Sequence, residues 1–560
     1  MHNMKKIALL VLLLSLSAVT FAKEKHDARY LKISRSCCLN EDGSIDFRFR
    51  KELQLFTTAS FDTYGETFIL YNPEFETLTI HESYTRLPDG RTVATPANAF
   101  NAVLPSSCTD CARFNAVREM VVTHTALETG AVVVLDYTIH TQHPYFQELA
   151  QRVNLCEEIP VDTMLLTVAM PDSRTLHYDL HTYGQPLLPT ESAGNGGGRT
   201  LTWSITNIAA AAPDRYLPDR YNPYILLTTF DRPGDFLTLL ALQQAFMPPT
   251  QKLLPQLPEE TLRDAADALD TATALQNFVH RYIRTNNMPM RCMNFIIASP
   301  ATVLNTGCAT PFEKNLLLHT LLKEAGYASE IGILAQTLTG EPEGLLQVNV
   351  GGAARYLSAN EPFECAAAQG RCAGRFIALN GREAELSLKP HHLELIADIR
   401  ITAENGQYKD DAELRKSESA GIPAATVSAT PDCNCADVAH LSGAYYALTI
   451  AHPDGGNDMQ AALLPYDCET PVQVKQTDEC CTYTVALPTG AQWVSPPFLY
   501  EKSCGFGSVR ISASYDNGKL TLLRQLTLQD TVLNSKKEIR QLREMTGEWN
   551  AKRKYLFKKP

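Results

Sequence analysis

The clearest pattern of apolar and polar positions in the chain falls on residues 311–325. Apolar residues recur there with the i, i+4 spacing of a helix that buries one face, at positions 317, 318, 321, 322 and 325. Thr310 fits an N-cap, Pro311 the first helical position and Glu313 the third, as in a capping box. Gly326 follows as a stop signal. The pattern therefore predicts a buried helix between these signals.

Two further helices are predicted. Over 259–284 an apolar stripe runs to Tyr282, and Glu259 and Glu260 at its start suit the helix dipole. Residues 535–557 indicate a closing helix rich in Lys and Arg. A cationic helix can lie on a membrane, but interleaved glutamates favour a solvated face here, at positions 538, 544 and 548.

Most of the remaining chain has the pattern of strands. Short β-branched and aromatic runs separated by turn residues occupy 30–205 and predict a β-sandwich. Residues 206–257 form a Pro-containing connection with one strand, Tyr224–Phe230. The segment 376–534 is again β-rich, with a hairpin turn at residues 515–519.

The central helix carries a family resemblance. The pair Glu313-Lys314, the leucine run and the closing turn Glu324-Ala325-Gly326-Tyr327-Ala328 resemble the nucleophile helix of the transglutaminase-like superfamily. This superfamily shares its core with papain-like cysteine proteases. When the pattern is anchored on Lys314 and Gly326, the nucleophile position falls on Pro311, and Cys308 lies three residues too early.

The N-terminal strands carry a second, looser resemblance. Pro88-Asp89-Gly90-Arg91-Thr92-Val93 and Leu127-Glu128-Thr129-Gly130-Ala131-Val132-Val133 are similar to motifs of an uncharacterised β-domain. That domain often precedes transglutaminase-like domains in exported Gram-negative proteins. The order of these motifs, in front of the central helix, agrees with the first resemblance.

The resemblance implies a histidine on the strand at 345–350 and an aspartate on the strand at 355–360. Gln347 and Ser358 stand at those positions. A thiolate mechanism needs a cysteine at a helix start beside a histidine that a third group orients. With Pro311 at the nucleophile position, all three members of the triad are expected to be lost.

Other histidines offer no clear replacement. His319 lies nine residues past the N-cap, which is roughly 13 Å along a helix. His391 and His392 follow in the next segment and could reach the helix start only by an unusual return of the chain.

These expectations define an α+β multidomain fold with an N-terminal β-sandwich, a central transglutaminase-like α+β domain and a C-terminal β-rich domain ending in a helix. The predicted boundaries are a signal peptide at 1–22, the β-sandwich domain at 23–205, the connecting segment at 206–257, the transglutaminase-like domain at 258–375 and the C-terminal domain at 376–560.

The composition limits the kinds of partner and the cellular compartment that we expect for this chain. The net charge of −12 leaves no basic stripe for nucleic acid. The N-terminus has the features of a secretory signal, namely Lys5 and Lys6, an apolar run and a small-x-small cleavage site. No later segment is long enough to span a bilayer. We therefore expect export to the periplasm or cell surface of a Gram-negative bacterium.

All 15 cysteines lie after the signal, so disulfides are expected, and the odd count leaves at least one cysteine unpaired. Cys108-x-x-Cys111 and Cys433-x-Cys435 lack the further ligands of a zinc site and the helix context of a redox pair. The adjacent pairs, Cys37-Cys38 and Cys480-Cys481, are each expected to bond in two directions. Neither a metal nor a cofactor is predicted.

The sequence supports two functional hypotheses and leaves room for a purely structural role in a cell-surface assembly. The first is an exported, non-catalytic binding or scaffolding protein for a peptide, a glycan or a protein partner. The alternative is a cysteine-dependent acyltransferase or peptidase in which Cys308 is the nucleophile and an unrecognised histidine is the base.

Overall fold

A computed structural model describes residues 26–182, 187–193, 198–213, 216–218, 221–334, 344–361, 374–386, 391–404, 407–419, 436–450, 468–516 and 518–559. The predicted signal peptide, Cys365, Cys372 and Cys433-x-Cys435 lie outside these residues. The chain divides into two compact units. The first consists of residues to Ala211 with Asn222–Phe230 and Arg291–Phe295, and the second contains the rest.

The first unit is built almost entirely from strands. They are β1 (Ala28–Leu39), β2 (Ile45–Leu55), β3 (Glu66–Tyr71), β4 (Glu76–Arg86), β5 (Thr92–Ala94), β6 (Phe100–Val103), β7 (Arg118–Thr123), β8 (Val132–Thr141), β9 (Ala150–Asn154), β10 (Val161–Pro171), β11 (His177–His181), β12 (Thr190–Ala193), β13 (Gly198–Ile208) and β14 (Tyr224–Thr228). One short helix, α1 (Ala59–Tyr64), lies between β2 and β3.

An eight-stranded sheet organises this unit, in the order β12-β13-β10-β1-β2-β8-β4-β5. The sheet β11-β14-β9 packs on its β1, β10 and β13 portion, where Ile33 and Trp203 meet Ile225. The sheet β3-β7-β6 packs near β8 through Ile69, Val122 and Leu135. The unit therefore consists of face-to-face sheets whose alternating apolar side chains form the core.

The second unit contains five α-helices and nineteen strands among its described residues. The helices are α2 (Pro233–Leu240), α3 (Ala268–Tyr282), α4 (Pro300–Thr306), α5 (Pro311–Glu324) and α6 (Lys536–Trp549). The strands are β15 (Arg284–Thr285), β16 (Cys308–Ala309), β17 (Ser329–Leu334), β18 (Gly344–Val350), β19 (Ala353–Leu357), β20 (Gly374–Ala378), β21 (Glu383–Leu386), β22 (His391–Glu404), β23 (Gln407–Ser419), β24 (Ala436–Ser442), β25 (Tyr445–Ile450), β26 (Val472–Val474), β27 (Thr477–Ala486), β28 (Gln492–Trp493), β29 (Phe498–Cys504), β30 (Gly507–Asp516), β31 (Lys519–Leu528), β32 (Thr531–Leu533) and β33 (Lys554–Lys558).

Helix α5 is the most buried helix of this unit. Its residues from Phe312 to Leu318 are all buried, and it contacts α3, α4 and the strands β17 and β18. Those strands belong to the sheet β19-β18-β17-β20-β21. Since neighbours surround the helix, its polar residues at 313–315 have to find partners inside the protein.

The C-terminal part has its own core. A six-stranded sheet, β23-β22-β27-β31-β30-β29, turns its apolar face toward α6 and the sheet β24-β25-β33-β28. Trp549 and Phe557 are among the largest side chains buried there. The predicted hairpin joins β30 to β31, with Tyr515 paired to Leu520.

The predicted α+β class is wrong. Strands make up 48% of the structure and helices 19%, distributed over many sheets, so the chain is a β-rich multidomain protein without the central α+β domain we expected. Apolar periodicity identified the helices, but the sheets that surround them form from strands far apart in sequence, and these dominate the architecture.

Two helix boundaries also differ from the prediction. The segment at 259–284 is α-helical only over Ala268–Tyr282, because the Asp267 side chain accepts the Asp270 N–H at 2.9 Å and caps the helix there. The closing helix ends at Trp549, and Lys554–Lys558 form β33 between β25 and β28. Alternation of polar and apolar residues in Lys554–Lys558 suits a strand.

Candidate functional site

The start of α5 has the predicted capping box. Thr310 Oγ1 accepts the Glu313 N–H at 3.4 Å, and Glu313 Oε2 accepts the Thr310 N–H at 2.9 Å. Glu313 Oε1 also accepts the N–H of Ala298 at 2.7 Å. The buried carboxylate of Glu313 therefore fixes both the helix start and the chain before α4.

Cys308 lies just before this box on the two-residue strand β16, paired in parallel with Arg284–Thr285. Its side chain is buried and its sulfur is disulfide-bonded. A disulfide sulfur is not a thiolate, so Cys308 cannot act as a nucleophile in this state.

Most other described cysteines do not follow the expected disulfide framework. Cys37, Cys38, Cys480 and Cys481 are thiols, so the two adjacent pairs do not bond in two directions. Cys37 Sγ lies 2.9 Å from Gln151 Oε1, and burial raises the pKa of its thiol to about 12. Adjacent residues on a strand face opposite sides, so each sulfur has different neighbours. Cys111 is disulfide-bonded.

Pro311 occupies the first position of α5, and its carbonyl accepts two side-chain amides. Asn315 Nδ2 donates to Pro311 O at 3.2 Å and Asn360 Nδ2 donates to it at 3.1 Å. Asn315 is fully buried, donates to Gly344 O at 2.6 Å and accepts the Ala359 N–H at 2.7 Å. This one side chain connects α5, β18 and the segment after β19.

Ser358 belongs to the same network. Its hydroxyl oxygen accepts the Asn360 N–H at 3.2 Å, and its carbonyl accepts Gln276 Nε2 at 2.8 Å. Gln276, on α3, also donates to Glu361 O at 3.1 Å. The structure therefore brings Pro311 and Ser358 together through Asn360.

Gln347 is not part of this network. A Cβ on Gly344 would lie 3.1 Å from Asn315 Cβ, so the face of β18 that carries residue 344 packs on α5. Side chains alternate along a strand, so Gln347 lies on the opposite face. There its Nε2 donates to Tyr356 OH at 2.9 Å, and its Oε1 accepts from Arg382, which pairs with Glu330.

The histidines singled out in the sequence lie in other settings. His319 Nδ1 is 2.9 Å from Ser329 Oγ, and burial lowers the pKa of this imidazole to about 4. His391 and His392 begin β22, and His392 Nδ1 lies 3.3 Å from Asp478 Oδ2.

A histidine that the sequence patterns did not single out lies beside the candidate site. His280 Nδ1 lies 3.3 Å from Ala359 O, next to the segment that holds Ser358 and Asn360. Gln276 and His280 are four residues apart on α3 and face the same segment. Two polar residues at i, i+4 beside an apolar stripe were the signal that could have identified this face.

Lys314 is buried with two oxygen partners. Its Nζ donates to Thr285 Oγ1 at 3.0 Å and to His280 O at 3.3 Å, and burial lowers the pKa of the amine to about 8. Lys314 therefore ties α5 to the end of α3 and to β15. Both residues of the pair Glu313-Lys314, which carried the family resemblance, therefore hold α5 in place through hydrogen bonds of their side chains.

Apart from His280, the polar groups around Pro311 can hydrogen-bond but are poorly suited to proton transfer. They are a proline carbonyl, two asparagine amides and a serine hydroxyl, while Cys308 is oxidised. Within the described ranges, no group of three or more His, Cys, Asp or Glu side chains could hold a metal ion. Among those same residues, no helix has the length and apolar character needed to cross a membrane.

Comparison with known proteins supports the fold. The family model of a domain of unknown function, DUF3857, matches residues 41–212, and that of a second one, DUF3858, matches residues 467–556. The crystal structure of a "putative protease" from Parabacteroides distasonis is similar over 95% of this chain and 99% of its own, with 25% sequence identity and a TM-score of 0.73. No curated protein matches the chain.

A "putative cysteine protease" from Cytophaga hutchinsonii also matches, covering 48% of this chain and 89% of its own, at 10% identity and a TM-score of 0.19. That similarity is too low to carry an argument. Together the family models and the Parabacteroides structure support a transglutaminase-like fold within a β-rich multidomain chain.

Proposed function

We propose that this chain is an exported, non-catalytic transglutaminase-like protein that acts as a binding or scaffolding module. The observation that carries the proposal is the disulfide-bonded, buried Cys308 beside a helix start occupied by Pro311. Its partner would be a peptide, a glycan or a protein at the surface or in the periplasm of a Gram-negative bacterium.

The hydrogen-bond network supports a binding role. The Asn315 side chain uses both its amide group and its oxygen to join three chain segments, which favours a rigid support over a mobile catalytic group. Asn360 is half-buried beside Pro311, and its Oδ1 has no hydrogen-bond partner. A buried acceptor without a partner is a candidate contact for an incoming N–H or O–H.

One observation favours the alternative, a cysteine-dependent acyltransferase or peptidase that uses Cys308. The chain is similar over nearly its whole length to a protein that is named as a protease. In this alternative the Cys308 disulfide would have to be reduced before the thiol could attack a carbonyl carbon.

The test is iodoacetamide labelling of the native protein across pH 5–9, read by mass spectrometry at Cys308, with and without a mild reductant. Cys38, a half-buried thiol, is the matched control within the same chain. We expect no labelling at Cys308 without reductant, and slow labelling below pH 8 after reduction. Fast labelling at pH 5–6 would indicate a thiolate of low pKa and would overturn the proposal in favour of the enzyme.

Export is tested separately by sequencing the N-terminus of the protein recovered from a cell fractionation. A mature chain that starts at Lys23 in the periplasmic or surface fraction is expected. An intact N-terminus in the cytoplasmic fraction would contradict export and leave the Cys308 result unaffected.

A further inference from the structure

The three-stranded sheet β3-β7-β6 of the first unit is apolar on both faces. Its inner face packs near β8 through Ile69 and Val122, which are both buried. Side chains alternate along a strand, so the positions between the inward ones form the outer face. Half of these outward positions carry large apolar residues. The outward positions are Glu66, Phe68 and Leu70 on β3, Glu119, Val121 and Thr123 on β7, and Asn101 and Val103 on β6.

The apolar residues of this outer face are neighbours. Phe68 pairs with Val121 across β3 and β7. In the next row of the same face, Glu119 pairs with Leu70 on one side and with Val103 on the other. Phe68 is 57% exposed and Val103 is 41% exposed. Phe68, Leu70, Val121 and Val103 therefore form one patch that is open to solvent, which we call the outer patch.

A solvated sheet face elsewhere in the chain shows the usual alternation. On β30, Val509 and Ile511 face the core, while the outward positions next to them are Ser508, Arg510 and Ser512. An antiparallel sheet with one face in water alternates in this way, with apolar residues inside and polar residues outside. The outer patch does not follow this pattern. An exposed apolar patch bordered by polar residues marks an interaction site.

The charges on this face are negative. Among the eight described outward positions, Glu66 and Glu119 are the charged residues. Arg291 donates to Leu70 O at 3.4 Å at the end of β3, but it already pairs with the buried Glu76 at 3.6 Å. A second copy of this face, or an anionic surface, would place like charges against the two glutamates. A cationic partner would instead be attracted to them.

We infer that the outer patch is the docking surface for a segment of a partner protein that carries aliphatic side chains flanked by lysine or arginine. The aliphatic side chains would pack on Phe68 and Val121, and the cationic groups would pair with Glu66 and Glu119. Neighbouring strands lie about 4.8 Å apart, so three strands offer a width of about 10 Å, which suits one extended strand or one helix. The inference does not depend on the function proposed for the start of α5.

The first test measures how a fluorescent heptapeptide of alternating lysine and leucine binds the full chain, by fluorescence anisotropy. Two comparison peptides carry glutamate in place of lysine or serine in place of leucine. We expect wild type to bind the lysine and leucine peptide at least about fivefold tighter than either comparison peptide. Equally tight binding of either comparison peptide would overturn the inference.

The second test locates the binding surface with two variants of equal exposure. Phe68→Ser removes the aromatic ring at the centre of the outer patch. Leu499→Ser is the matched control, because Leu499 is 59% exposed and lies on β29 of the second unit. We expect Phe68→Ser to weaken binding of the lysine and leucine peptide at least about fivefold, and Leu499→Ser to leave it unchanged. Equal affinities of the two variants would place the binding surface elsewhere and overturn the inference.

A charge reversal keeps the inference testable if Phe68→Ser does not fold. Glu66→Lys changes the sign of one charge beside Phe68 and keeps the four apolar residues of the patch. The affinity should fall about threefold or more for the lysine peptide and should rise for the glutamate peptide. A folding defect would lower both affinities. Unchanged affinities for both peptides would contradict the inference.

Sedimentation velocity distinguishes a partner protein from a second copy of this chain. We expect wild type and Phe68→Ser to sediment alike, as monomers. A wild-type dimer that Phe68→Ser abolishes would identify a second copy as the occupant of the outer patch and overturn the inference.

Discussion

Asn315 Nδ2 donates to the carbonyl of Gly344 across 2.6 Å, where strand β18 packs tightly against helix α5. The contact is possible because residue 344 has no side chain. The sheet and the helix that positions Pro311 are therefore joined by one buried amide and one glycine.

Replacing Asn315 with alanine should destabilise the protein strongly. The change leaves the Gly344 carbonyl and the Ala359 N–H without their partner in a buried region. We expect the free energy of unfolding to fall by about 2–4 kcal/mol. Urea unfolding is the measurement, and Asn101→Ala is the control, because Asn101 is exposed and donates only to Asn98 O. A loss no larger than that of the control would show that the network carries little stability.

A methyl group at Gly344 should separate the strand from the helix. The added Cβ would lie 3.1 Å from Asn315 Cβ and 3.2 Å from Phe312 Cδ2, and neither atom lies at the end of a flexible side chain. We expect Gly344→Ala to cost about 1–3 kcal/mol of unfolding free energy. Gly505→Ala is the matched control, since a Cβ there meets nothing within 4 Å. Equal stability of the two variants would mean that β18 shifts freely.

The sequence revealed the local features of this site but not its long-range contacts. The capping box of Thr310 and Glu313 involves residues three apart, so their spacing alone predicted it. The bond between Asn315 and Ala359 joins residues 44 apart in the chain, and no periodicity encodes such a pairing. His280 was missed for the same reason.

The register of strand β18 explains why the sequence pattern placed Gln347 beside Pro311 and the structure does not. Family spacing assigned it to the histidine position, but a shift of one residue on a strand moves a side chain to the other face. Only the close approach of Gly344 to α5 shows which face of β18 packs on the helix. The strand patterns at 30–205 and 376–534 were visible in the sequence, but the order of the strands in each sheet was not, because it depends on partners far away in the chain.

Loss of the Cys308 disulfide should lower stability. Cys308→Ser removes a cross-link that restrains the unfolded chain, and we expect the unfolding free energy to fall by about 2–4 kcal/mol. Cys38→Ser, which removes a thiol, should change it by less than about 0.5 kcal/mol. Thermal unfolding with and without reductant checks the assignment. Reductant should destabilise wild type but not Cys308→Ser, and an effect of equal size on both would place the stabilising cross-link elsewhere.

A buried histidine in the first unit predicts how stability depends on pH. His124 is 4% exposed, and its Nε2 lies 2.9 Å from Thr67 Oγ1. Thr67 Oγ1 also accepts a hydrogen bond from Lys51 Nζ at 2.7 Å. Burial, with a smaller effect of the Lys51 charge, lowers the pKa of the imidazole from 6.5 to about 3. Between these values the unfolded chain binds a proton that the folded chain does not. The contribution of His124 to stability is therefore present above pH 6.5 and is lost as the pH drops toward 3.

The contribution of His124 to the free energy of unfolding can be isolated above the pH range where most carboxylates titrate. Between pH 6.5 and pH 5 its protonation in the unfolded chain should cost about 1.5 kcal/mol. In His124→Gln this part of the slope should disappear, while the part due to His319, whose pKa burial also lowers, should remain. His81→Gln is the control, because His81 is exposed and hydrogen-bonds only Thr138. Urea unfolding at pH 5.0 and 6.5 measures the difference. Parallel profiles for wild type and His124→Gln would mean that His124 is protonated in the folded protein, and that Thr67 and Lys51 rearrange to accommodate its charge.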